Sequence, residues 1–321
     1  MPKRRAGRLR AVLLFALVSF YPGGASAFRP EVLESVVSVL PLWPGHEQGG
    51  QPNLAPGTAP EGSAVAILPG GYLVTALHVV DRATAITVRL PDGRHAPAEL
   101  IGADQATDLA LLKTAADLPV LPDAPEPALG APVCAVGNQF GLGLSVTCGV
   151  VSALHRSGTG FNPIEDFVQT DASANPGASG GALVDRDGRL VGVLSAIFTK
   201  ESDADIGVNF AASIALVRRV AADLAARRRV RWANSGWRVT DLTADERADG
   251  VGARIQRIVP GGAAARAGLR VGDIVVRIGT RAIRRASDVT GVTALARPGE
   301  QLQVEIRRGG TLRRADIELP P

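Results

Sequence analysis

The sequence predicts a mainly β protein, in which two six-stranded antiparallel β-barrels precede a small α+β domain. Short apolar runs alternate with Pro/Gly turns over residues 63–113 and again over residues 133–210. Many short strands at regular spacing are typical of barrels and sandwiches. A proline-rich connection over residues 119–132 separates the two sets. We therefore expect two barrels with a cleft between them.

The C-terminal part of the chain has a different pattern. Residues 214–229 have helical periodicity and end in an arginine cluster, which predicts a helix that leads out of the second barrel. Beyond them, the strand-like runs 253–259 and 302–308 flank a helical segment at 287–297. A mixed module of this size is expected to form an independent domain.

The first 27 residues have the layout of a secretory signal peptide. Five basic residues precede an apolar run at residues 11–20, and Ala25-Ser26-Ala27 provides the small residues of a cleavage site. We expect export and cleavage after Ala27. The alternative is an uncleaved membrane anchor, which the short apolar run disfavours because a span needs about 20 residues.

The predicted divisions follow from these patterns. They are the signal peptide (1–27), an N-terminal segment with a flexible Pro/Gly/Gln-rich loop (28–62), the barrel domain (63–220), a linker (221–234) and the α+β domain (235–321).

The charge balance excludes one class of function. Of 35 Lys+Arg, five lie in the signal peptide, so the mature chain carries 30 against 31 Asp+Glu, a formal charge of −1. The basic pI of 9.6 therefore reflects targeting and gives no support to nucleic-acid binding.

The two cysteines of the chain, Cys134 and Cys148, each lie in an apolar strand-like run on either side of a turn-rich segment. A hairpin centred near Gly141 would place them opposite each other. Two alternatives remain open at this point: a cross-strand disulfide, as an exported chain permits, or two buried free thiols.

Residues 175–184 have the composition of a nucleophile loop. Ser179 lies between small residues and glycines that permit tight turns, and an apolar strand follows. A glycine-rich turn with a solvated serine explains this stretch equally well when it is considered alone.

A serine nucleophile needs a base, and the base needs an orienting acid. Of the four histidines, His78 is the one expected at the end of an apolar strand, which would mount its ring rigidly at the edge of a core. Asp108 opens another apolar strand, where a carboxylate is costly to bury unless it is paired. Asp104 is a nearby alternative.

Four motifs, in order and with suitable spacing, resemble the HtrA (Deg) family of trypsin-like serine endopeptidases. They are TALHVV, TDLALLK, GNQFGL with VTCGVVSAL, and FVQTDASANPGASGGALVD. The C-terminal run GARIQRIVPGGAAARAGLRVGDIVVRIG resembles the PDZ domain of that family. The resemblance covers nearly the whole mature chain. It implies chymotrypsin-like barrels, a periplasmic location and an ATP-independent endopeptidase.

The resemblance also implies roles for individual residues. His78 is the general base, Asp108 orients it, and Ser179 is the nucleophile. The backbone N–H groups of Gly177 and Ser179 form the oxyanion hole. Leu194, Ile197 and Asn209 are expected in the pocket for the residue preceding the scissile bond, and an apolar pocket without an acid favours small or medium aliphatic side chains there.

Regulatory positions follow from the same resemblance. Arg156 matches a loop arginine that the family uses to sense the state of the substrate or the PDZ domain, although a solvated charge explains it as well. The carboxylate-binding loop of the PDZ domain maps on Ser235, Gly236 and Trp237, with a polar residue at 235 where an apolar one is usual. The chain also departs from the family at Gln139, where proline is usual, and at Ala178 and Cys148.

The expected partners are unfolded or peptide substrates, C-terminal peptides at the PDZ domain, and two further copies of the chain in a homotrimer. Neither a phosphate-binding loop nor a metal-ligand cluster is evident in the sequence, so no cofactor or metal is expected. The alternatives are a catalytically silent chaperone or peptide-binding protein and a membrane-tethered regulatory protease.

Overall fold

The computed structural model describes residues 28–44, 61–197, 206–248 and 250–320. The predicted signal peptide and most of the predicted loop at residues 41–62 lie outside these ranges. Among the described residues, the helices are too short or too polar to cross a membrane.

The first β-barrel is closed and antiparallel, with neighbouring strands in the order β1-β2-β3-β6-β5-β4. It closes because Val39 of its first strand pairs with Gly62 on one side and Val88 on the other. Its strands are β1 (Val36–Leu42), β2 (Gly62–Leu68), β3 (Tyr72–Ala76), β4 (Ala85–Arg89), β5 (His95–Asp104) and β6 (Leu109–Thr114).

The start of the first barrel and the end of strand β3 both differ from the sequence prediction. The first barrel begins at Val36, within the predicted N-terminal segment, because the run Val36 to Val39 is buried and supplies the strand that closes the barrel. Strand β3 ends at Ala76, and a single helical turn, α1 (Leu77–Val80), follows it. His78 therefore projects from this turn and not from the strand itself.

The second barrel is also closed and antiparallel, in the order β10-β11-β12-β9-β8-β7. Its strands are β7 (Pro132–Gly137), β8 (Ser145–Arg156), β9 (Phe167–Thr170), β10 (Ala182–Asp185), β11 (Leu190–Ile197) and β12 (Asn209–Ser213). Cys134 and Cys148 are directly opposite in the β7–β8 ladder, and a disulfide joins them.

Helix α2 (Ile214–Arg227) follows the second barrel. The Ser213 hydroxyl caps it by accepting the Leu216 N–H at 3.3 Å. Its apolar side, including Leu216 and Leu224, packs into the core that the two barrels share. The helix therefore belongs to the barrel domain and extends into residues 221–227, which were predicted to be linker.

The C-terminal domain has a sheet in the order β13-β14-β15-β17-β18, with β16 paired to β15. Its elements are β13 (Trp237–Asp241), α3 (Ala244–Ala248), β14 (Ala253–Ile258), α4 (Ala263–Arg266), β15 (Ile274–Ile278), β16 (Arg281–Ala282), α5 (Ala286–Leu295), β17 (Gln301–Arg308) and β18 (Thr311–Glu318). The domain has its own core, while Leu295 of α5 packs against the barrel core.

Candidate active site

His78 and Asp108 meet where β3 and β6 end side by side. Ala76 pairs with Leu109, so the residues just beyond the ladder are neighbours. Asp108 Oδ2 lies 2.6 Å from His78 Nδ1, and Asp108 Oδ1 accepts the His78 backbone N–H at 2.9 Å. This carboxylate therefore fixes both the ring and the backbone of His78. The imidazole is 51% exposed, so the ring is accessible to solvent.

The backbone at Asp108 is left-handed, with φ of 57°. Aspartate tolerates this region better than most residues do. The conformation directs the Asp108 carbonyl to the Leu77 N–H at 2.8 Å, which adds a third bond between the two segments.

Asp104, the alternative orienting acid, has a different role. Its Oδ2 accepts the Thr107 N–H at 3.0 Å and the Thr107 hydroxyl at 2.8 Å, and its Oδ1 accepts Trp232 Nε1 at 3.2 Å. The carboxylate therefore stabilises the turn before β6.

The Ser179 loop of the second barrel is hydrogen-bonded to the first barrel. The Ser63 N–H donates to the Ser179 carbonyl at 2.9 Å. A Cβ at Gly180 would overlap the Ser63 carbonyl and lie 3.0 Å from Thr75 Cα, so only glycine allows this approach, and its φ is 84°. Ser179 therefore lies at the interface of the two barrels, next to strand β3, which leads into the His78 turn.

Two backbone N–H groups of the Ser179 loop have no intramolecular acceptor among the described residues. The Phe140 N–H donates to the Pro176 carbonyl at 2.7 Å, and the Gly181 N–H donates to the Ala178 carbonyl at 2.8 Å. In a trans peptide the C=O and the N–H point in opposite directions. The N–H groups of Gly177 and Ser179 therefore point away from these contacts, and neither has an acceptor in the described part of the chain.

Gln139 supports this loop, a role that sequence reasoning did not predict. The Asn175 amide donates to Gln139 Oε1 at 2.7 Å, and the Thr147 hydroxyl donates to the Ser173 carbonyl. Thr147 is next to Cys148, whose disulfide joins β7 to β8. Gln139, which departs from the family pattern, thus connects the Ser179 loop to a cross-linked hairpin.

Ser63 is a second supporting residue that sequence reasoning missed. Its hydroxyl donates to the Gly177 carbonyl at 2.7 Å and accepts the Asn138 N–H at 2.8 Å. The sequence signal for this supporting role was weak, because a serine at the start of an apolar strand can have many roles.

The three expected pocket residues have different outcomes. Leu194 is 2% exposed and shares a core cluster with Ala178, so it supports the Ser179 loop from inside the barrel. Asn209 is buried and donates to the Ala172 carbonyl at 3.1 Å. Ile197 ends β11, but its side chain lies outside the described residues.

Arg156 donates from Nε to Gln169 Oε1 at 3.0 Å. It lines a cavity of about 550 Å³ between the second barrel and the C-terminal domain. Its sensing role stays a prediction.

A buried carboxylate beside Arg156 connects the two domains. Asp166 is 1% exposed and lies 2.7 Å from Arg281 Nη1 of the C-terminal domain and 3.1 Å from His155 Nδ1. The Ser213 hydroxyl also donates to it. Burial alone would raise the pKa of Asp166, but the His155 and Ser213 hydrogen bonds and the Arg281 charge outweigh it, so the pKa is lowered.

The predicted carboxylate-binding loop precedes β13. The Asn234 side chain accepts the Gly236 N–H at 2.9 Å, and the Ala264 N–H donates to the Ser235 carbonyl at 3.1 Å. Trp237 begins the strand and pairs with Ile258. Asn234 therefore occupies one of the N–H groups that a peptide carboxylate would need.

Within the described ranges, no group of three or more His, Cys, Asp or Glu side chains is arranged to hold a metal ion.

Comparisons with known proteins agree with this architecture. Residues 62–193 match the family described as a trypsin-like peptidase domain, and residues 205–319 match the PDZ domain family. The chain therefore combines a trypsin-like serine peptidase domain with a PDZ domain.

Two curated relatives match over most of this chain. The chain is 33% identical over 258 residues to the periplasmic pH-dependent serine endoprotease DegQ of Escherichia coli, covering 78% of this chain and 56% of the relative. It is 34% identical to the periplasmic serine endoprotease DegP of the same organism. This match covers 78% of this chain and 54% of the relative. The chain thus spans about half the length of these curated relatives.

Among solved structures, an HtrA-type protease AlgW with tripeptide is 33% identical, with a TM-score of 0.69 and coverage of 90% of this chain and 94% of that one. A serine endoprotease from Yersinia pestis is 31% identical with a TM-score of 0.55. This match covers 90% of this chain and 96% of that one. The chain belongs to the HtrA family of serine endoproteases.

Proposed function

We propose that the mature chain is an exported, ATP-independent endopeptidase that hydrolyses unfolded or regulatory protein substrates. The observation that carries the proposal is the 2.6 Å contact between His78 Nδ1 and Asp108 Oδ2, beside a Ser179 loop with two free N–H groups. The periplasmic names of the relatives support the location.

The proposed first step is acylation of Ser179. Because Nδ1–H donates to Asp108, Nε2 of His78 is the acceptor. It takes the Ser179 hydroxyl proton while Oγ bonds to the carbonyl carbon of the substrate. The resulting oxyanion accepts the N–H groups of Gly177 and Ser179. Loss of one such donor typically costs about 2.7–4 kcal/mol in the transition state.

The second half of the reaction releases the products. Protonated His78 gives its proton to the leaving amine as the C–N bond breaks, which leaves an acyl-enzyme. Water then loses a proton to His78 and attacks the ester carbonyl, which frees the acid product and Ser179. Small or medium aliphatic side chains are proposed before the scissile bond.

Regulation by the PDZ domain and assembly as a homotrimer complete the proposal. A C-terminal peptide would add to the domain as a strand, with its carboxylate at residues 235–237 after displacement of the Asn234 side chain. The contact of Asp166 with Arg281 supports coupling between the two domains.

Cleavage of unfolded β-casein without ATP tests the proposed activity. The mature chain is expected to cleave casein, and Ser179→Ala is expected to abolish cleavage, because the hydroxyl nucleophile is lost. Ser152→Ala is the matched control, since this exposed serine lies on β8 away from the loop. Casein that stays intact with wild type, while aggregation is still suppressed, would favour the chaperone alternative.

A further inference from the structure

We propose that the arginine cluster where the two domains meet is a binding site for a phosphate group. The site is a cavity of about 230 Å³, formed by the end of helix α2, the segment that follows it and the start of the turn after α5. Its lining residues are Arg219, Asp223, Arg227, Arg231, Arg297 and Pro298. This inference does not depend on the proposed protease activity.

The charge of the cavity is unbalanced. Four guanidinium groups face a single lining carboxylate, which leaves a formal charge of +3. Asp223 is already shared, because its Oδ2 lies 2.7 Å from Arg219 Nη1 and its Oδ1 lies 2.8 Å from Arg227 Nη1. It also accepts the Arg231 backbone N–H at 2.9 Å. One carboxylate with three partners cannot neutralise the cluster.

The carboxylates near the cavity already have other hydrogen-bond or ion-pair partners. Glu99 pairs with Arg228 at 3.4 Å, and Asp104 accepts Trp232 Nε1 at 3.2 Å. The Glu300 carboxylate accepts the backbone N–H of Arg297 at 2.9 Å, and it is not among the lining residues. An external anion is therefore the group that would balance the remaining charge.

A buried arginine under the cavity gives an independent indication. The Arg219 side chain is 3% exposed, and its Nε has no hydrogen-bond partner in the part of the chain that the structure describes. Its Nη2 donates to the Arg231 carbonyl, and its Cζ lies 5.6 Å from the Trp232 ring centre. Its counter-charge, Asp223, is shared with Arg227, so an anion in the cavity would supply a further negative charge to this buried cation.

The geometry favours phosphate over a peptide carboxylate. The exposed guanidinium groups come from three segments, with Arg227 on the helix, Arg231 after it and Arg297 in the PDZ domain. Planar guanidinium forks donate in pairs to tetrahedral phosphate, whose oxygens face several directions at once. The cavity also suits a small group better than an extended peptide. A bound phosphate would link the barrel domain to the PDZ domain.

The test measures inorganic phosphate binding to the mature chain, in the Ser179→Ala background to prevent self-cleavage. Titration calorimetry and thermal unfolding are run at constant ionic strength. Saturable binding and a rise in Tm with phosphate are expected, because a ligand that binds only the folded state stabilises it. The double variant Arg231→Gln/Arg297→Gln is expected to bind about tenfold or more weakly. Both positions are exposed, so the fold is retained.

The matched control is Arg270→Gln/Arg313→Gln, which removes the same charge from exposed positions away from the cavity. It is expected to bind phosphate as the parent does. Absence of saturable binding, or equal affinity in both double variants, would overturn the proposal.

A second arm distinguishes a lipid headgroup from a soluble phosphate. Flotation with phosphatidylglycerol vesicles, compared with phosphatidylcholine vesicles, supports a headgroup if the Arg231→Gln/Arg297→Gln variant loses binding. Phosphate binding without vesicle binding supports a soluble phosphate compound. Vesicle binding that this variant retains, without saturable phosphate binding, contradicts the site.

Discussion

Asp108→Asn is expected to lower kcat about 10⁴-fold with little change in KM. The amide would present a donor or a neutral acceptor to His78 Nδ1 in place of the carboxylate, so the reactive tautomer and the imidazolium would both lose their stabilisation. Asparagine also tolerates the left-handed backbone at this position, where φ is 57°. The fold should therefore persist, and steady-state hydrolysis of a fluorogenic peptide measures the loss.

Asp104→Asn is the matched control for this substitution. Because the Asp104 carboxylate bonds Thr107 and Trp232, its replacement should affect the local turn and leave kcat within a few-fold of wild type. A large loss of kcat at Asp104 combined with a small loss at Asp108 would show that the orienting acid has been assigned to the wrong residue.

Asp166→Asn is expected to destabilise the protein by about 3–5 kcal/mol, because removal of one partner leaves the Arg281 charge uncompensated in a buried site. Denaturant unfolding at neutral pH measures the loss, and release of the PDZ domain from the second barrel should accompany it. Glu99→Gln is the control. Glu99 and Arg228 are both about two-thirds exposed, so their pair should contribute about 0–1 kcal/mol.

Lowering the pH should reduce the stability difference between wild type and Asp166→Asn. Since the folded-state pKa of Asp166 lies below its ordinary value, its stabilisation is present above the unfolded pKa, about 3.9, and is lost as the pH falls through the folded pKa. Wild type and Asp166→Asn should therefore converge in stability below about pH 4. A constant difference down to pH 2 would contradict the assignment of the ion pair.

Local patterns predicted most of the fold. Alternating apolar runs and Pro/Gly turns marked the strands, and the family resemblance agreed with two closed barrels and a PDZ domain. The residues of β1 (Val36–Leu42) were assigned to the N-terminal segment, so their membership of the first barrel was missed. That membership depends on pairing with Arg89 and its neighbours about 50 residues later, which periodicity does not report.

The supporting contacts of the site were beyond sequence reasoning for a similar reason. Asp166 and Arg281 are 115 residues apart, and their contact requires both domains to fold and dock first. Gln139 was noted only as a departure from the family, whereas its bond to Asn175 depends on the path of the loop. Leu194 was expected in the pocket from the family resemblance, and its burial in a core cluster depends on how the barrel closes, which the sequence does not report.

Labelling with a fluorophosphonate tests the proposed nucleophile most directly. The reagent phosphonylates a serine that a neighbouring base has activated, with loss of fluoride, and peptide mass spectrometry locates the adduct. The account predicts one adduct, on Ser179, that is absent from Ser179→Ala and strongly slowed in Asp108→Asn. An adduct on another serine, or none while casein is cleaved, would contradict the assignment of Ser179.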